Sequence, residues 1–516
     1  MSGQETPREG APRSSAPRDG ARRAGARRDG APRDGARRDG SPLNGASLNG
    51  APRIGVVGAG ILGTVLALRL AQGGAKVTLL ERAPSPGGLA GSFDFEGHRV
   101  DRFYHVVVPS DERMIGLAQE LGLAAELHFT PVGVGFFVDG EMHPFNGLGD
   151  FLRFPPLTPV ARARLAWFVL QCQLRKDYAA LEEVPLERWL TRHCGMTTVE
   201  RIWRPLLDSR FDARHAELPA TYLWARTNRM RSARSGSGGG GGERMGAIAG
   251  GGHERLVLAV ARKARELGVQ IRLGAGVESL IVDEAGVAGV RVDGQPERFD
   301  LTIPTLQPPA LRRLLPPQLH NLLDAYPGRY LGVVCLILKL RRSLLPYYSV
   351  NICDETPITT VVETSHVVGT AHTDGLRLAY LPKYCDPGAP EFSEDDESIY
   401  RRFTAMLARL APNFTHDDVV AWTVQRAPLV EPVHALGHRP RTAPLWPGVE
   451  GLGLASASQV YPRLLNGESI VELAERVALQ ALERVRLPAP DNDRAGAPRR
   501  SAASERSLAQ RARAQR

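Results

Sequence analysis

Gly55–Arg82, GVVGAGILGTVLALRLAQGGAKVTLLER, decides the fold. Arg53–Gly58 is a short apolar run suited to a buried strand. Ile61–Ala71 carries apolar residues at 61, 62, 65, 66 and 70, one stripe of a helix. Between them stand Gly58, Gly60 and Gly63 in G-x-G-x-x-G spacing. The first glycine permits a tight turn, the second lets backbone approach a diphosphate, and the third lets the helix pack close on the strand. The helix start offers free N–H groups and a positive dipole end to phosphates. A second strand, Lys76–Leu80, ends at Glu81, 23 residues past Gly58, where a carboxylate can accept ribose hydroxyls. Glycines alone would say little. Strand, turn, helix, strand and acid in that order predict a Rossmann-type domain with a dinucleotide site.

Glu81–Val107 reads ERAPSPGGLAGSFDFEGHRVDRFYHVV, with Arg82 after the acid, a Gly87-Gly88 doublet and then Ser92. Glycines there leave more backbone N–H groups open to a diphosphate. The arrangement resembles the glycine-doublet FAD family, which includes protoporphyrinogen oxidase, phytoene and squalene-type desaturases, amine oxidases and UDP-galactopyranose mutase. NAD-dependent dehydrogenases normally turn straight into another helix, without the doublet. The resemblance implies FAD held by Gly58, Gly60, Ile61, Leu62 and Gly63, by Glu81 and Arg82, and by Gly87, Gly88, Leu89 and Ser92.

Two distant segments are similar to the same family. Gln270–Thr305 predicts a strand, a hairpin turning at Glu284-Ala285-Gly286 and a strand at Phe299–Ile303. In the family this element returns to the nucleotide domain, and the residue matching Val277 touches adenine through its backbone. Gly451–Leu482, GLGLASASQVYPRLLNGESIVELAERVALQAL, predicts strand, loop and amphipathic helix. The resemblance places that helix start at the flavin ring, with Tyr461, Gly467, Ser469 and Ile470 beside it. The common family form has Gly-Asp after the strand, where this chain has Ala455-Ser456-Ala457-Ser458-Gln459. Ser458-Gln459-Val460-Tyr461-Pro462 is similar to a bacterial branch whose next residues, Asp-Arg-Gly, are not kept in Arg463-Leu464-Leu465-Asn466-Gly467.

Beyond these motifs the chain divides into a body and basic tails. Of the formal charge of +9, residues 1–52 hold +4 (ten Arg, six acids) and residues 489–516 another +4 (seven Arg, three acids). The remaining +1 gives the body no footprint for nucleic acid. From Ala16 a five-residue period sets Gly at 20, 25, 30, 35, 40, 45 and 50, with almost nothing to bury, so disorder is expected. No secretory h-region follows Met1 and no apolar run is long enough to span a bilayer. A cytoplasmic protein is expected, with peripheral membrane contact left open. Cysteines at 172, 194, 335, 353 and 385 show neither a CxxC pair nor metal spacing, so no metal is expected.

The fold class expected is α/β: a Rossmann-type FAD-binding domain interleaved with a substrate domain that holds a mixed, largely antiparallel sheet and a helical insertion. The FAD-binding domain begins with 53–130, resumes after a glycine-rich loop within 236–305 and closes with 446–488. The substrate domain takes a helical insertion from 131–235 and a sheet from 306–445. Within the insertion, Asp139-Gly140 predicts a hairpin turn, and Thr158-Pro159 caps a helix whose Leu165, Phe168, Val169 and Cys172 form a core stripe or a membrane-docking one. Strands are predicted at 330–340, 356–368, 376–384 and 418–427, their apolar character implying an apolar cavity wall.

Flavin chemistry asks little of side chains. Candidates for assistance are Tyr104 and His105 after the doublet, Glu363 and His366 on the sheet, and Tyr461. Arg204, Arg210 and Arg214 are candidates for an anionic group, and Lys339 resembles the flavin-facing lysine of amine oxidases. The expected activity is hydride transfer from an apolar or partly anionic small molecule to flavin N5, with an unidentified electron acceptor. A non-redox flavoenzyme resembling UDP-galactopyranose mutase, or a flavin-binding protein without turnover, are the alternatives.

Overall fold

The computed structural model describes residues 50–212, 214–234, 243–437 and 443–485. The glycine run 236–242, the tail 489–516 and all but the last three residues of the tail 1–52 lie outside them. β1 (Arg53–Val57), α1 (Ile61–Gln72) and β2 (Lys76–Leu80) form where the apolar pattern sets them. β1 lies between β2 and Leu301–Pro304, and Gln270–Arg272 extends the sheet beyond β2, all strands parallel. Parallel sheets need cover on both faces, and all but the first residue of β1 and β2 are buried. α1, Gly252–Glu266 and Gly467–Arg484 cover one face. A three-stranded antiparallel sheet (Val277–Asp283, Gly286–Val292, Gln295–Arg298) covers the other, joined by Leu280, Val290 and Phe299.

α1 and Gly467–Arg484 run side by side in one direction, since Arg69 pairs with Glu475 while Gly73 abuts Leu482 a turn or more further along both. Their N-terminal ends therefore share the carboxyl edge of the parallel sheet, where α/β sheets bind ligands. The Gly451–Ala455 stretch joins that sheet only loosely, Leu452 bridging Thr302 and the Ala455 N–H donating to the Pro304 carbonyl at 3.2 Å.

The second sheet has seven strands in the order Val419–Pro432, Tyr330–Leu340, Arg377–Cys385, Thr360–Glu363, Ser349–Ile352, Val134–Val138, Glu141–Pro144. Only Ser349–Ile352 and Val134–Val138 are parallel, so the sheet is mixed and largely antiparallel. Alternation sends Leu336, Leu338 and Leu381 under the helix Asp396–Leu410. It sends Cys335, Ile337, Tyr380 and Tyr384 toward the hairpin of Ser92–Phe95 and His98–Asp101. Of the expected strand over 356–368, only Thr360–Glu363 pairs. Ser365–Val368 is a helical turn, because the Ser365 hydroxyl takes the Leu378 N–H at 2.7 Å and ends the ladder.

The helical insertion follows its local signals. Asp139 and Gly140 have φ of 54° and 78°, the left-handed pair of a two-residue hairpin. Thr158 caps Pro159–Leu174 by accepting the Ala161 N–H at 3.3 Å. Leu165, Phe168 and Cys172 of that helix are core, packed with Trp189. All five cysteines are buried and free, and burial pushes the thiols of Cys172, Cys194, Cys353 and Cys385 up to about 12. They carry no thiolate at neutral pH. Among the described residues no helix is long and apolar enough to cross a membrane, and no cluster of His, Cys, Asp or Glu could hold a metal ion.

Candidate active site

The nucleotide end is made of backbone. Gly58 turns at φ 102°, its N–H donating to the Leu80 carbonyl at 2.8 Å. Gly63 lies so close that a Cβ there would stand 1.8 Å from the Gly58 carbonyl oxygen. The Glu81 carboxylate spans the turn, accepting the N–H of Ala59 at 2.6 Å and of Ala83 at 2.8 Å. Each oxygen keeps a lone pair for a ribose hydroxyl. The doublet arrives against the first turn: Gly60 and Gly87 form a parallel bridge, and the Gly87 N–H donates to the Ala59 carbonyl at 2.9 Å. The stretch before Val277 joins them, with Gly274 donating to the Ala83 carbonyl at 2.9 Å and Ala275 to that of Glu81 at 2.8 Å. Gly276 rests against the Arg82 side chain.

The late helix start comes to the same edge. Leu465 and Ile470 pack in one cluster with Ile61 and Leu62, and Asn466 caps the helix by accepting the Ser469 N–H at 3.1 Å. Gly467 lies against Met114, while the Glu468 carboxylate accepts the N–H groups of Arg113 at 2.9 Å and Met114 at 3.0 Å. The unusual Ser-Gln segment is turned inward. Gln459 donates to the Ala443 and Leu454 carbonyls at 3.2 Å, and Ser458 bonds Gln307 at 2.6 Å and the Tyr330 hydroxyl at 2.9 Å. It ties three elements together at a buried seam. Arg463 pairs with Glu472 on the helix that follows.

The other candidates are side chains, and they separate in space. Tyr104 lies edge-on to Tyr380, centroids 6.2 Å apart, and bonds Tyr384. The Arg210 guanidinium lies 3.6 Å over the Tyr384 ring and pairs with Glu431. Burial and Tyr384 push the Tyr104 phenol well above its ordinary value, so it is a neutral donor. Burial opposes the Arg210 charge, but Glu431 and the surrounding tyrosines more than offset it, and its Nε is a buried donor with no hydrogen-bond partner. His105 and His253 lie 5.0 Å apart, held neutral by burial at about 4 and about 3. Tyr461, its hydroxyl 3.1 Å from that of Thr221, borders a cleft of about 480 Å³, open mouth included, with Phe211, Leu218, Tyr222, Glu431 and His434.

Other candidates lie elsewhere. Glu363 is in register with Ala379, so it points to the opposite face from Val362 and Tyr380. Its buried carboxylate accepts from the Ser343 hydroxyl at 2.9 Å and the Leu344 N–H at 3.0 Å, and His366 reaches the Leu345 carbonyl at 3.0 Å. Lys339 donates to the Phe95 and Glu96 carbonyls at 2.6 and 3.2 Å and meets His98 Nδ1 at 3.0 Å, fastening the hairpin turn. Arg204 pairs with Glu187 and Arg214 with Asp386, leaving Arg210 as the arginine of the three at the cluster. The inner face of the sheet is apolar with tyrosines set into it, Val333, Ile337 and Val362 standing beside Tyr348, Tyr380 and Tyr384. The repeat of Tyr380 and Tyr384 four apart on one strand was the available signal; Glu431, Tyr222 and His253 gave none.

These residues fit FAD at the diphosphate end, where the direction of Gly60's missing Cβ is open, with no atom of the described residues within 4 Å, as a diphosphate's approach requires. Residues 63–464 match the family described as flavin containing amine oxidoreductase. No curated protein matches the chain. Solved structures share its fold at low identity. One described as a protoporphyrinogen oxidase from Exiguobacterium sp. 255-15 has a TM-score of 0.65 and 17% identity over 84% of this chain and 99% of its own. Reduced UDP-galactopyranose mutase gives 0.65 and 15% over 84% and 96%. Cyclohexylamine oxidase from Brevibacterium oxydans IH-35A gives 0.61 and 16% over 85% and 100%. With the family matched over most of its length, the chain is an FAD-dependent enzyme belonging to the flavin-containing amine oxidoreductases.

Proposed function

We propose that the protein oxidises a small molecule with an apolar body and an anionic or strongly polar end, by hydride transfer to flavin N5. The observation that carries this reading is Arg210, stacked on Tyr384 beside Tyr104 with a buried donor unmet. When bound, FAD supplies the two-electron acceptor, and oxygen, a quinone or another carrier reoxidises it. Arg210 would hold the anionic end, with the phenols of Tyr104 and Tyr384 as further donors. Phe211, Leu218, Val433 and Val460 would seat the apolar body and exclude water from the cleft that Tyr461 borders. His105, neutral at pH 7, is placed to accept a hydrogen bond or a proton rather than to give one. In this reading 53–130, 236–305 and 446–488 form the nucleotide-binding part, while 131–235 and 306–445 form the substrate part.

The cleft itself is lined by Glu431, the ion-pair partner of Arg210. Arg210, as the group that would hold the anionic end, favours desaturase-like or protoporphyrinogen-oxidase-like oxidation of a C–C, C–N or C–O bond. The test is anaerobic reduction of the purified yellow protein by matched donors. Carboxylate-bearing donors should bleach the flavin and their methyl esters should do so poorly. Arg210→Met should erase that difference. Reduction by primary amines with no preference for acids sinks the proposal, and product analysis separates oxidation from a redox-neutral rearrangement.

A further inference from the structure

The helix Pro159–Leu174 is apolar on two opposite faces. One stripe, Leu165, Phe168 and Cys172, is core. The other stands in water: Val160 is 70% exposed, Trp167 57%, Leu170 42% and Leu174 68%. These four recur at intervals of seven, three and four, so they form a single line along the helix. Leu148 and Leu152 of the preceding short helix, 71% and 59% exposed, continue the patch, held beside it by the Arg162 guanidinium on the Leu152 carbonyl. A helix apolar all round is normally enclosed by protein or lipid. Here no described residue encloses the outer half.

Charge says what covers it. Leu148–Lys176 holds Arg153, Arg162, Arg164, Arg175 and Lys176 against the single acid Asp150, a local +4 within a body of net +1. At 100° per residue, Arg162 falls on one edge of the exposed stripe and Arg164 and Arg175 on the other. Their guanidiniums bond only carbonyl oxygens where they bond at all: Arg162 to Leu152, Arg164 to Arg192 and His193. Among the described residues no carboxylate pairs with them. A second copy of the chain would bring +4 against +4. Anionic phospholipid headgroups would meet the flanking cations while the acyl boundary takes Trp167 and the leucines.

We infer that this helix face docks the protein on an anionic phospholipid surface. The docked helix is one layer from the cleft, since helix Thr221–Arg234, which carries the cleft residue Tyr222, is bonded to its inner side through Asn228 on the Cys172 carbonyl at 3.2 Å. An amphiphilic substrate would reach the cleft from the same surface.

The test uses full-length holoprotein and sedimentation with vesicles of phosphatidylcholine alone or mixed with phosphatidylglycerol, at low and raised salt. Any binding of such vesicles by the basic tails would be through charge alone, and salt screens that contribution. Wild type should bind the mixed vesicles and keep measurable binding at raised salt. The triple variant Trp167→Ser, Leu170→Ser, Leu174→Ser should lose the salt-resistant part by about tenfold or more, with flavin content unchanged. Equal binding by the two proteins, or no binding of wild type to either vesicle, overturns the inference. So does a wild-type dimer in sedimentation equilibrium that the triple variant converts to monomer, because the face then belongs to a second copy.

Discussion

The two ends of the cofactor site are built from different materials. At the diphosphate end the working parts are peptide groups, exposed by glycines and steadied by Glu81. At the proposed substrate end they are side chains, Arg210, Glu431 and the tyrosines, brought from the insertion and three strands or loops far apart in sequence. A backbone site tolerates almost no change in residue type at a few positions but says nothing about what is oxidised. A side-chain site is the reverse.

The sharpest way to break that comparison is a pair of one-methyl changes. Gly63→Ala places a Cβ 1.8 Å from the Gly58 carbonyl oxygen, a backbone atom held at both neighbours, and should cost about 3 kcal/mol or more in the apoprotein. Gly60→Ala meets no atom of the described residues within 4 Å and should leave apoprotein melting unchanged while flavin content falls severalfold or more. Melting curves and flavin-to-protein ratios read both. Equal loss of stability in the two variants would mean that Gly60 serves the fold and not the ligand.

At the other end, Arg210→Met strands the Glu431 carboxylate in a mostly buried site and should cost about 3 kcal/mol in denaturant unfolding. The double variant with Glu431→Gln should recover much of that loss, because the uncompensated charge is gone. No recovery would assign the cost to lost packing on Tyr384 instead. A smaller effect belongs to Glu81→Gln, which keeps one acceptor for Ala59 or Ala83 but not both. The charged acceptor lost here should weaken FAD by about tenfold, roughly 1.4 kcal/mol, and the N–H left without its acceptor should lower apoprotein stability by about 1–3 kcal/mol.

The same contrast explains what the sequence disclosed. β1, α1, β2, the Asp139-Gly140 turn and the Thr158 cap were legible because each depends on neighbours within about four residues, where turn chemistry and periodicity act. Tyr104, His105 and Arg210 were visible as candidates only by residue type. Glu363 was a candidate on the same footing and Lys339 only by resemblance; strand register alone sends Glu363 to the far face, while Lys339 points inward yet is taken up by the hairpin carbonyls. Glu431 had no local mark at all, since its role depends on a partner 221 residues away. The exposed stripe at 160, 167, 170 and 174 was hidden for another reason. Its helix is apolar on both sides, and periodicity cannot say which stripe is core.

The seam between the two ends carries its own pH signature. Asp101 occupies the space a Gly252 Cβ would fill and accepts the His253 N–H at 3.3 Å, and burial, with Glu254 adding, pushes its carboxyl up to about 7. Burial holds His105 at about 4 and His253 at about 3. Between about pH 4 and 6.5 the unfolded chain binds protons on both histidines that the folded chain refuses, which raises stability as pH rises. Over the same window folded Asp101 keeps a proton that the unfolded chain has lost, which lowers stability as pH rises. The net of these three groups is one proton, so their joint contribution to apoprotein stability should climb by about 1.4 kcal/mol per pH unit up to about 6.5 and sag slightly toward 7. Asp101→Asn removes the opposing group and should steepen the climb by about another 1.4 kcal/mol per unit. Urea midpoints across that range read the slope. An unchanged slope in Asp101→Asn would show that the carboxyl is ionised in the folded protein, with water reaching the seam between the doublet hairpin and the Gly252 helix.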